Sequence, residues 1–148
     1  MKRYLRACIV LISVFCSVIL SLPDRAFSET CTSWVAKAVS VQGTVEVQRY
    51  GESQWQNVDL NATFCPNDKV RTLADSRASF TLVNDSTLRI NQNSTFSFSE
   101  PKDDKSFLLY LLKGAAHIFS RTPRALEVQT PHTSAGVRGT EFLVTVER

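Results

Sequence analysis

The sequence predicts an all-β domain built of many short strands, arranged either as a β-sandwich or as the coils of a small β-solenoid. Apolar and polar residues alternate over several short stretches of the 148-residue chain, which is typical of strands with one buried face. Clusters of Gly, Pro, Asn, Asp and Ser separate these stretches at short intervals, as turns do. After the N-terminal segment, no long stretch shows helical periodicity.

Residues 1–28 are predicted to be a secretory signal peptide. A basic start is followed by 16 uncharged residues at 7–22, and the small residues Ala26 and Ser28 then form a cleavage site. An uncleaved membrane anchor is the alternative, because a spanning helix uses about 20 apolar residues. We expect cleavage after Ser28, which leaves a periplasmic or secreted domain at 29–148 with no stable membrane anchor.

The net charge of +3 belongs entirely to this N-terminal segment. The first 28 residues hold four cations and one anion, so the other 120 residues hold 13 of each and are neutral. Nucleic acids and anionic membranes are bound by basic surfaces, and we therefore expect neither as the main partner. The length and the hydrophobic content of 43% fit one folded domain.

Two cysteines, Cys31 and Cys65, remain after the expected cleavage. In the oxidising compartment outside the cytoplasm such a pair predicts a disulfide, which would close a loop of about 35 residues and stabilise the domain by about 4 kcal/mol. Two separately buried thiols are the alternative. His117 and His132 show no metal-ligand spacing with either cysteine, so we expect no metal site and no cofactor.

The first predicted strands flank Gly43, with alternating residues at 39–41 and 44–48. We interpret them as a strand pair joined by a turn at the glycine. Residues 32–38, just before them, could form one short turn of helix. Further strands are predicted after each later turn, around Trp55, Val58, Leu60, Val70 and Leu73.

A repeated plan begins at Asp75, Asp85 and Asn93. In each copy an Asp or Asn is followed by Ser, a polar residue, and apolar residues at offsets three and five. Asx and Ser side chains bond to their own backbone and form turns, and residues two apart share one face of a strand. A turn at every 8 to 10 residues fits both a meander of antiparallel strands and a solenoid. The six apolar residues are Ala78, Phe80, Leu88, Ile90, Phe96 and Phe98.

An unbroken apolar stretch at 107–112 predicts a central strand that is covered on both faces. The alternative is a strand with one exposed apolar face that awaits a partner. Lys113 and Gly114 are predicted to end this strand. Later strands are predicted at 115–119, at 126–128 and at 142–146.

We find no constellation of residues that predicts catalysis. The glycine-containing segment at 136–140 lacks the Lys-Ser/Thr ending of a phosphate-binding loop. Asp103 and Asp104 are adjacent acids on a polar loop, where they point in different directions. His132 is expected on a surface turn, and no serine lies in a nucleophile elbow. We therefore expect a protein that is not an enzyme.

The ordered motifs of residues 39–146 resemble the FecR domain, a bacterial periplasmic module. The ending, Thr-Pro and then Arg-Gly-Thr-x-Phe-x-Val at 130–144, is the most specific part. Asn67 stands where the family usually has Gly, and Asn84-Asp85 where it often has Asp-Gly. The family-motif positions are Gly43, Asp68, Thr72, Gly114, Thr130, Pro131, Gly136, Arg138, Gly139, Thr140 and Phe142.

The resemblance implies a binding or signalling role. The best-known members carry a cytoplasmic anti-sigma segment, one membrane span and this periplasmic domain, which receives a signal from an outer-membrane receptor during iron uptake. Only six residues precede the apolar stretch here, so we expect no anti-sigma segment. We expect a non-enzymatic periplasmic module that recognises a protein partner in the cell envelope, by strand addition at an open sheet edge.

A glycan-binding or structural module of the cell envelope is the alternative function. Its candidate stacking residues are aromatic, and a role in the core is the simpler interpretation of each, because aromatic residues dominate cores. These residues are Trp34, Tyr50, Trp55 and Tyr110.

Overall fold

A computed structural model describes residues 31, 33–100, 107–121, 126–136 and 141–147 of the chain. These residues form strands and turns without a helix, so the prediction of an all-β domain is confirmed. Accordingly, the described ranges contain no helix that could cross a membrane. The predicted signal peptide and its cleavage site lie outside the described residues.

Twelve strands occur in the described part of the chain, and most have four to seven residues. In chain order they are β1 (Ala36–Gln42), β2 (Val45–Gln48), β3 (Trp55–Asn57), β4 (Thr63–Phe64), β5 (Lys69–Thr72), β6 (Arg77–Leu82), β7 (Thr87–Ile90), β8 (Thr95–Phe98), β9 (Phe107–Phe119), β10 (Leu126–Gln129), β11 (Ser134–Gly136) and β12 (Glu141–Val146).

The strands form one curled sheet, and their pairing divides it into two halves that share β9. Sheet A has the order β4-β1-β6-β7-β9-β12, and sheet B has the order β3-β2-β5-β8-β9-β10-β11. Within the described ranges every pair is antiparallel except β9 with β10. Coils of a solenoid stack their strands in parallel, so the pairing favours the sandwich of the two predicted arrangements.

Phenylalanine side chains join the two halves and form the core between them. Phe64 and Phe80 of sheet A contact the rings of sheet B, with centroid distances of 5.3 Å for Phe64 to Phe98 and 5.5 Å for Phe80 to Phe96. Phe80 also lies 5.8 Å from Phe98, edge to face. Such ring pairs contribute about 0.5–1.5 kcal/mol each beyond the area that they bury.

The repeated plan predicted from the sequence is confirmed. Asp75, Asp85 and Asn93 have positive φ angles of 54°, 60° and 56°, which Asx residues tolerate better than most. The serine that follows each of them is buried, and so are the six apolar residues at offsets three and five. A fourth copy runs from Asn67 to Thr72, with a buried aspartate in the place of the serine.

The predicted strand pair around Gly43 is wrong. β1 pairs with β4 and β6 in sheet A, whereas β2 pairs with β3 and β5 in sheet B. Gly43, at φ +73°, carries the chain from one half to the other instead of reversing it within a hairpin. The helical turn suggested for 32–38 is also wrong at its C-terminal end, because Ala36 and Ala38 are buried strand residues of β1.

β9 continues through the position where the sequence predicted an end. Gly114 adopts φ +91° in the middle of this 13-residue strand. The residues before it pair with β8 and β10, and those after it pair with β7 and β12. A glycine at positive φ therefore bends one strand from sheet B into sheet A. The stretch 107–112 alternates between buried and half-buried residues, so only one of its faces is fully covered.

Candidate functional site

Buried polar side chains hold the corners at which the chain crosses between the sheets. At the first corner the N–H of Thr44 donates to Oγ of Ser76 at 2.8 Å, and that hydroxyl donates to the carbonyl of Ala74 at 2.9 Å. A Cβ atom on Gly43 would lie 2.5 Å from the same Oγ. The family-motif glycine is therefore needed both for its positive φ and for this close approach.

The corner inside β9 uses the same arrangement. The N–H of Ala115 donates to Oγ of Ser94 at 3.0 Å. A Cβ atom on Gly114 would lie 2.5 Å from Cα of Ser94. Only a glycine therefore leaves room for the backbone of Ser94 at this corner. Buried Thr72 supports this corner, because its Oγ1 accepts the N–H of Ser94 at 3.1 Å and donates to the carbonyl of Asn91 at 2.5 Å.

Asp68 holds a third corner with a charged group and is only 1% exposed. Its carboxylate accepts the N–H of Tyr50 at 3.0 Å, the N–H of Cys65 at 2.9 Å and Nη1 of Arg49 at 2.7 Å. The same Nη1 donates to the carbonyl of Thr63 at 2.9 Å. This ion pair ties together the ends of β2 and β4 and the start of β5.

The disulfide predicted from the sequence is present between Cys31 and Cys65, with a Cα–Cα distance of 5.7 Å. It adjoins the aspartate corner, because the Cys65 N–H donates to the carboxylate of Asp68. The bridge therefore fastens the segment before β1 to the most polar corner of the domain. The family-motif positions in these corners have structural roles.

The C-terminal motif is placed only in part. Oγ1 of Thr130 accepts the N–H groups of His132 at 3.3 Å and Thr133 at 3.0 Å, which closes an exposed turn between β10 and β11. Pro131 is exposed in this turn, and Gly136 is exposed at the end of β11. Arg138, Gly139 and Thr140 lie outside the described residues.

β12 forms an open edge of sheet A. It pairs with β9 from Glu141 to Val146 without a register shift, and within the described ranges no strand pairs with its other side. Leu143 points away from the core and is 62% exposed. On the other face, half-buried apolar side chains pack against the core: Phe142, Val144 and Val146.

The predicted core role of the aromatic candidates is wrong for two of them, because Trp34 is 45% exposed and Tyr50 is 75% exposed. Trp55 and Tyr110 are half-buried on the outer face of sheet B. A pocket of about 350 Å³ lies beside Tyr50 on this side of the molecule. Most of the residues that line it are polar, and Lys69 is among them.

The polar groups suited to chemistry are dispersed over the described surface. Nε2 of His117 lies 2.9 Å from a carboxylate oxygen of Glu141, and its ring lies 4.3 Å from that of Phe119, all on the outer side of sheet A. His132 is exposed on its turn. In the ranges that the structure describes, no three His, Cys, Asp or Glu residues form a group that could hold a metal ion.

Comparison with protein families gives one match. The family model described as FecR protein matches residues 68–148, which is more than half of the chain. The match begins at the buried aspartate of the third corner and includes every strand from β5 to β12. No curated protein and no solved structure matches the chain.

Proposed function

This chain belongs to the FecR family, and on that premise we propose that it is a non-enzymatic module of the cell envelope that recognises a protein partner by strand addition at β12. Membership in the family indicates a module related to envelope signalling. The finer proposal depends mainly on one observation, the open and regular edge that β12 presents.

β12 differs from the other outer strands in its length. β3 and β11 have three residues each and β4 has two, and such short edges discourage pairing with another chain. β12 has six residues in continuous register with β9. It also lacks the proline, lysine and bulge that often protect an edge strand.

The inner side of β12 carries half-buried apolar side chains that an added strand would cover. Ile118 and Ala116, opposite Phe142 and Val144 on β9, are fully buried, whereas Phe142 and Val144 are only half-buried. A further strand beside β12 would cover them, and each square ångström of apolar surface removed from water contributes about 25 cal/mol. We infer that the partner segment is extended and alternates apolar with polar residues.

The outer side of β12 specifies the polar face of that partner. Glu141, Thr145 and Glu147 are exposed on this side, around Leu143. A partner strand with Lys or Arg at alternate positions would complement the two carboxylates. Main-chain hydrogen bonds supply affinity in this mode, and the alternating side chains supply specificity.

Site-specific photocrosslinking in intact cells tests the proposal. A benzophenone side chain at Leu143 should form an adduct with a protein partner, and the same probe at Leu60, which is 59% exposed in a turn, should not. Leu143→Lys together with Thr145→Lys should remove partner capture without loss of folding, because edge lysines oppose strand addition. Equal adducts at both positions, or capture that survives the lysine pair, would contradict the proposal.

The location outside the cytoplasm is part of the same proposal. It is supported by the signal-peptide pattern of residues 1–28 and by the disulfide between Cys31 and Cys65. Fractionation followed by mass spectrometry should find the protein in the periplasm or the medium with Glu29 as its first residue. A membrane-bound protein that retains residues 1–28 would contradict cleavage.

A further inference from the structure

A line of side chains crosses the outer face of sheet B, with one residue from each of six adjacent strands. Strand register places them directly opposite one another, and on every strand except β3 their chain neighbours on the other face belong to the core. Since adjacent strands lie about 4.8 Å apart, the four spacings from β3 to β9 span about 19 Å. From β3 to β10 the residues are Trp55, Gln48, Lys69, Ser97, Tyr110 and Gln129.

Aromatic rings stand at two positions of this line. The guanidinium carbon of Arg71 lies 4.1 Å from the ring centroid of Trp55, and Nε of Arg71 forms an ion pair with Glu46 at 2.6 Å. These contacts fix the indole against the sheet while it stays partly exposed. Tyr110 offers a second half-exposed ring, four strands away.

A concave site lies between the two rings. The pocket of about 350 Å³ includes three members of the line, Gln48, Lys69 and Ser97, together with the exposed ring of Tyr50. Amide, ammonium and hydroxyl groups thus lie next to an aromatic ring. The volume is at the lower end of the range of about 300–1,000 Å³ that is usual for small-molecule sites.

The charges of this face balance. Four cations are accompanied by four carboxylates, so the face attracts neither a polyanion nor a cationic segment. The line itself has no aliphatic side chain of the kind that a protein interface usually buries at its centre, and the two leucines that flank Tyr110 on this face, Leu108 and Leu112, are already half-buried. The cations are Arg49, Lys69, Arg71 and Lys113, and the carboxylates are Glu46, Glu52, Glu127 and Asp68, the buried partner of Arg49.

We propose that this outer face of sheet B binds a linear, uncharged glycan that lies across the strands. The C–H faces of its sugar rings stack on Tyr50, Trp55 and Tyr110, and its hydroxyl groups bond to the polar residues between them. This site is on the opposite half of the sandwich from β12, so it is independent of strand addition. The domain then has one surface for a protein and another for a glycan.

Titration calorimetry with chitohexaose and cellohexaose tests the glycan site on the intact protein. We expect binding of at least one hexasaccharide, and weaker binding of the corresponding disaccharide, because the shorter chain cannot span the line. Tyr50→Ala should weaken binding about tenfold through the loss of one stacking contact. Because Tyr50 is 75% exposed, this variant keeps the fold.

Two matched variants separate this site from other surfaces. Leu60→Ala changes another exposed apolar residue, outside the line, and should leave the Kd unchanged, and so should Leu143→Lys on β12. Gln48→Ala, within the line, should weaken binding. No heat up to millimolar hexasaccharide, an unchanged Kd in Tyr50→Ala, or binding only of a charged polysaccharide or of a peptide would overturn the proposal.

Discussion

The aspartate corner and the two serine corners solve the same structural problem with different chemistry. In each of them a buried side chain accepts the backbone N–H of a segment that crosses between the sheets, and these N–H groups belong to Cys65, Thr44 and Ala115. Ser76 and Ser94 do this without charge. Asp68 carries a charge that requires Arg49 as its partner.

The difference follows from the number of hydrogen-bond donors that each buried side chain accepts. A serine hydroxyl serves one crossing N–H, whereas the two oxygens of Asp68 serve Tyr50, Cys65 and Arg49 together. A buried carboxylate is costly unless several hydrogen bonds and an opposite charge offset its desolvation. A charged side chain is therefore favoured where three donors converge on it. A neutral hydroxyl suffices where it accepts a single crossing N–H.

The largest effect should come from removing this charge. Asp68→Ala leaves the guanidinium of Arg49 without its carboxylate in a largely buried position, and it should lower the free energy of unfolding by about 3–5 kcal/mol. Asp68→Ser should lose nearly as much, and Asp68→Ser with Arg49→Met should recover part of the loss. Urea denaturation followed by circular dichroism measures all three. An Asp68→Ser protein as stable as the wild type would show that a serine suffices here too.

Loss of the disulfide beside this corner should have the next largest effect. The bridged cysteines are 34 positions apart, and opening such a loop costs about 2–4 kcal/mol. Cys31→Ser with Cys65→Ser should therefore lower the urea midpoint, and a reductant should lower that of the wild type to the same value. Non-reducing mass spectrometry should find the Cys31–Cys65 link in the exported protein. Two free thiols there would contradict the bridge.

Replacing the glycines that face the serine corners should have the next largest effects on stability, in a fixed order. Gly51→Ala serves as the control, because Gly51 has φ +83° but no atom lies within 4 Å of a Cβ built on it. This variant therefore measures the cost of the backbone conformation alone, about 1–2 kcal/mol. Gly43→Ala adds contact with Ser76, and Gly114→Ala adds a closer contact with the backbone of Ser94. Thermal unfolding should rank Gly114→Ala as the most destabilised and Gly51→Ala as the least. The reverse order would contradict the close approach at these corners.

The smallest effects should come from the serines themselves. Ser76→Ala and Ser94→Ala each remove the acceptor of one partly buried N–H, which costs about 1 kcal/mol. Hydrogen exchange should show faster exchange at Thr44 in the first variant and at Ala115 in the second. Ser86→Ala is the matched control, because the Ser86 hydroxyl donates to Oγ of Ser120. Unchanged exchange at Thr44 and Ala115 would show that the hydroxyls are not their partners.

Sequence reasoning recovered the repeated turns but missed one copy. The copies at Asp75, Asp85 and Asn93 share a serine, whereas the copy at Asn67 has aspartate in its place and a buried threonine, Thr72, at offset five. Aspartate and threonine are exposed in most proteins. Their burial depends on hydrogen bonds from distant segments, which no local pattern reveals.

The candidate sites were predicted less completely than the fold. An open sheet edge was expected, without a position in the chain. β12 forms that edge only because β9 bends at Gly114 into sheet A, where it pairs with β7 on one side and with β12 on the other. Trp55, Tyr50 and Tyr110 were candidates for stacking, yet Gln48, Lys69 and Ser97 gave no signal beyond strand alternation. They lie in one line through the register of separate strand pairs.

The sequence by itself determined which apolar residues of the repeated strands point inward and where those strands begin after a turn, because the alternation of a strand and the left-handed preference of Asx and Gly are local properties. Only the tertiary structure decided which strands are neighbours. Turns at Gly43 and Asp85 look alike in the sequence, yet the first crosses between sheets and the second joins β6 to β7. The choice depends on how buried faces from the whole chain cover one another, and that is a property of the complete core.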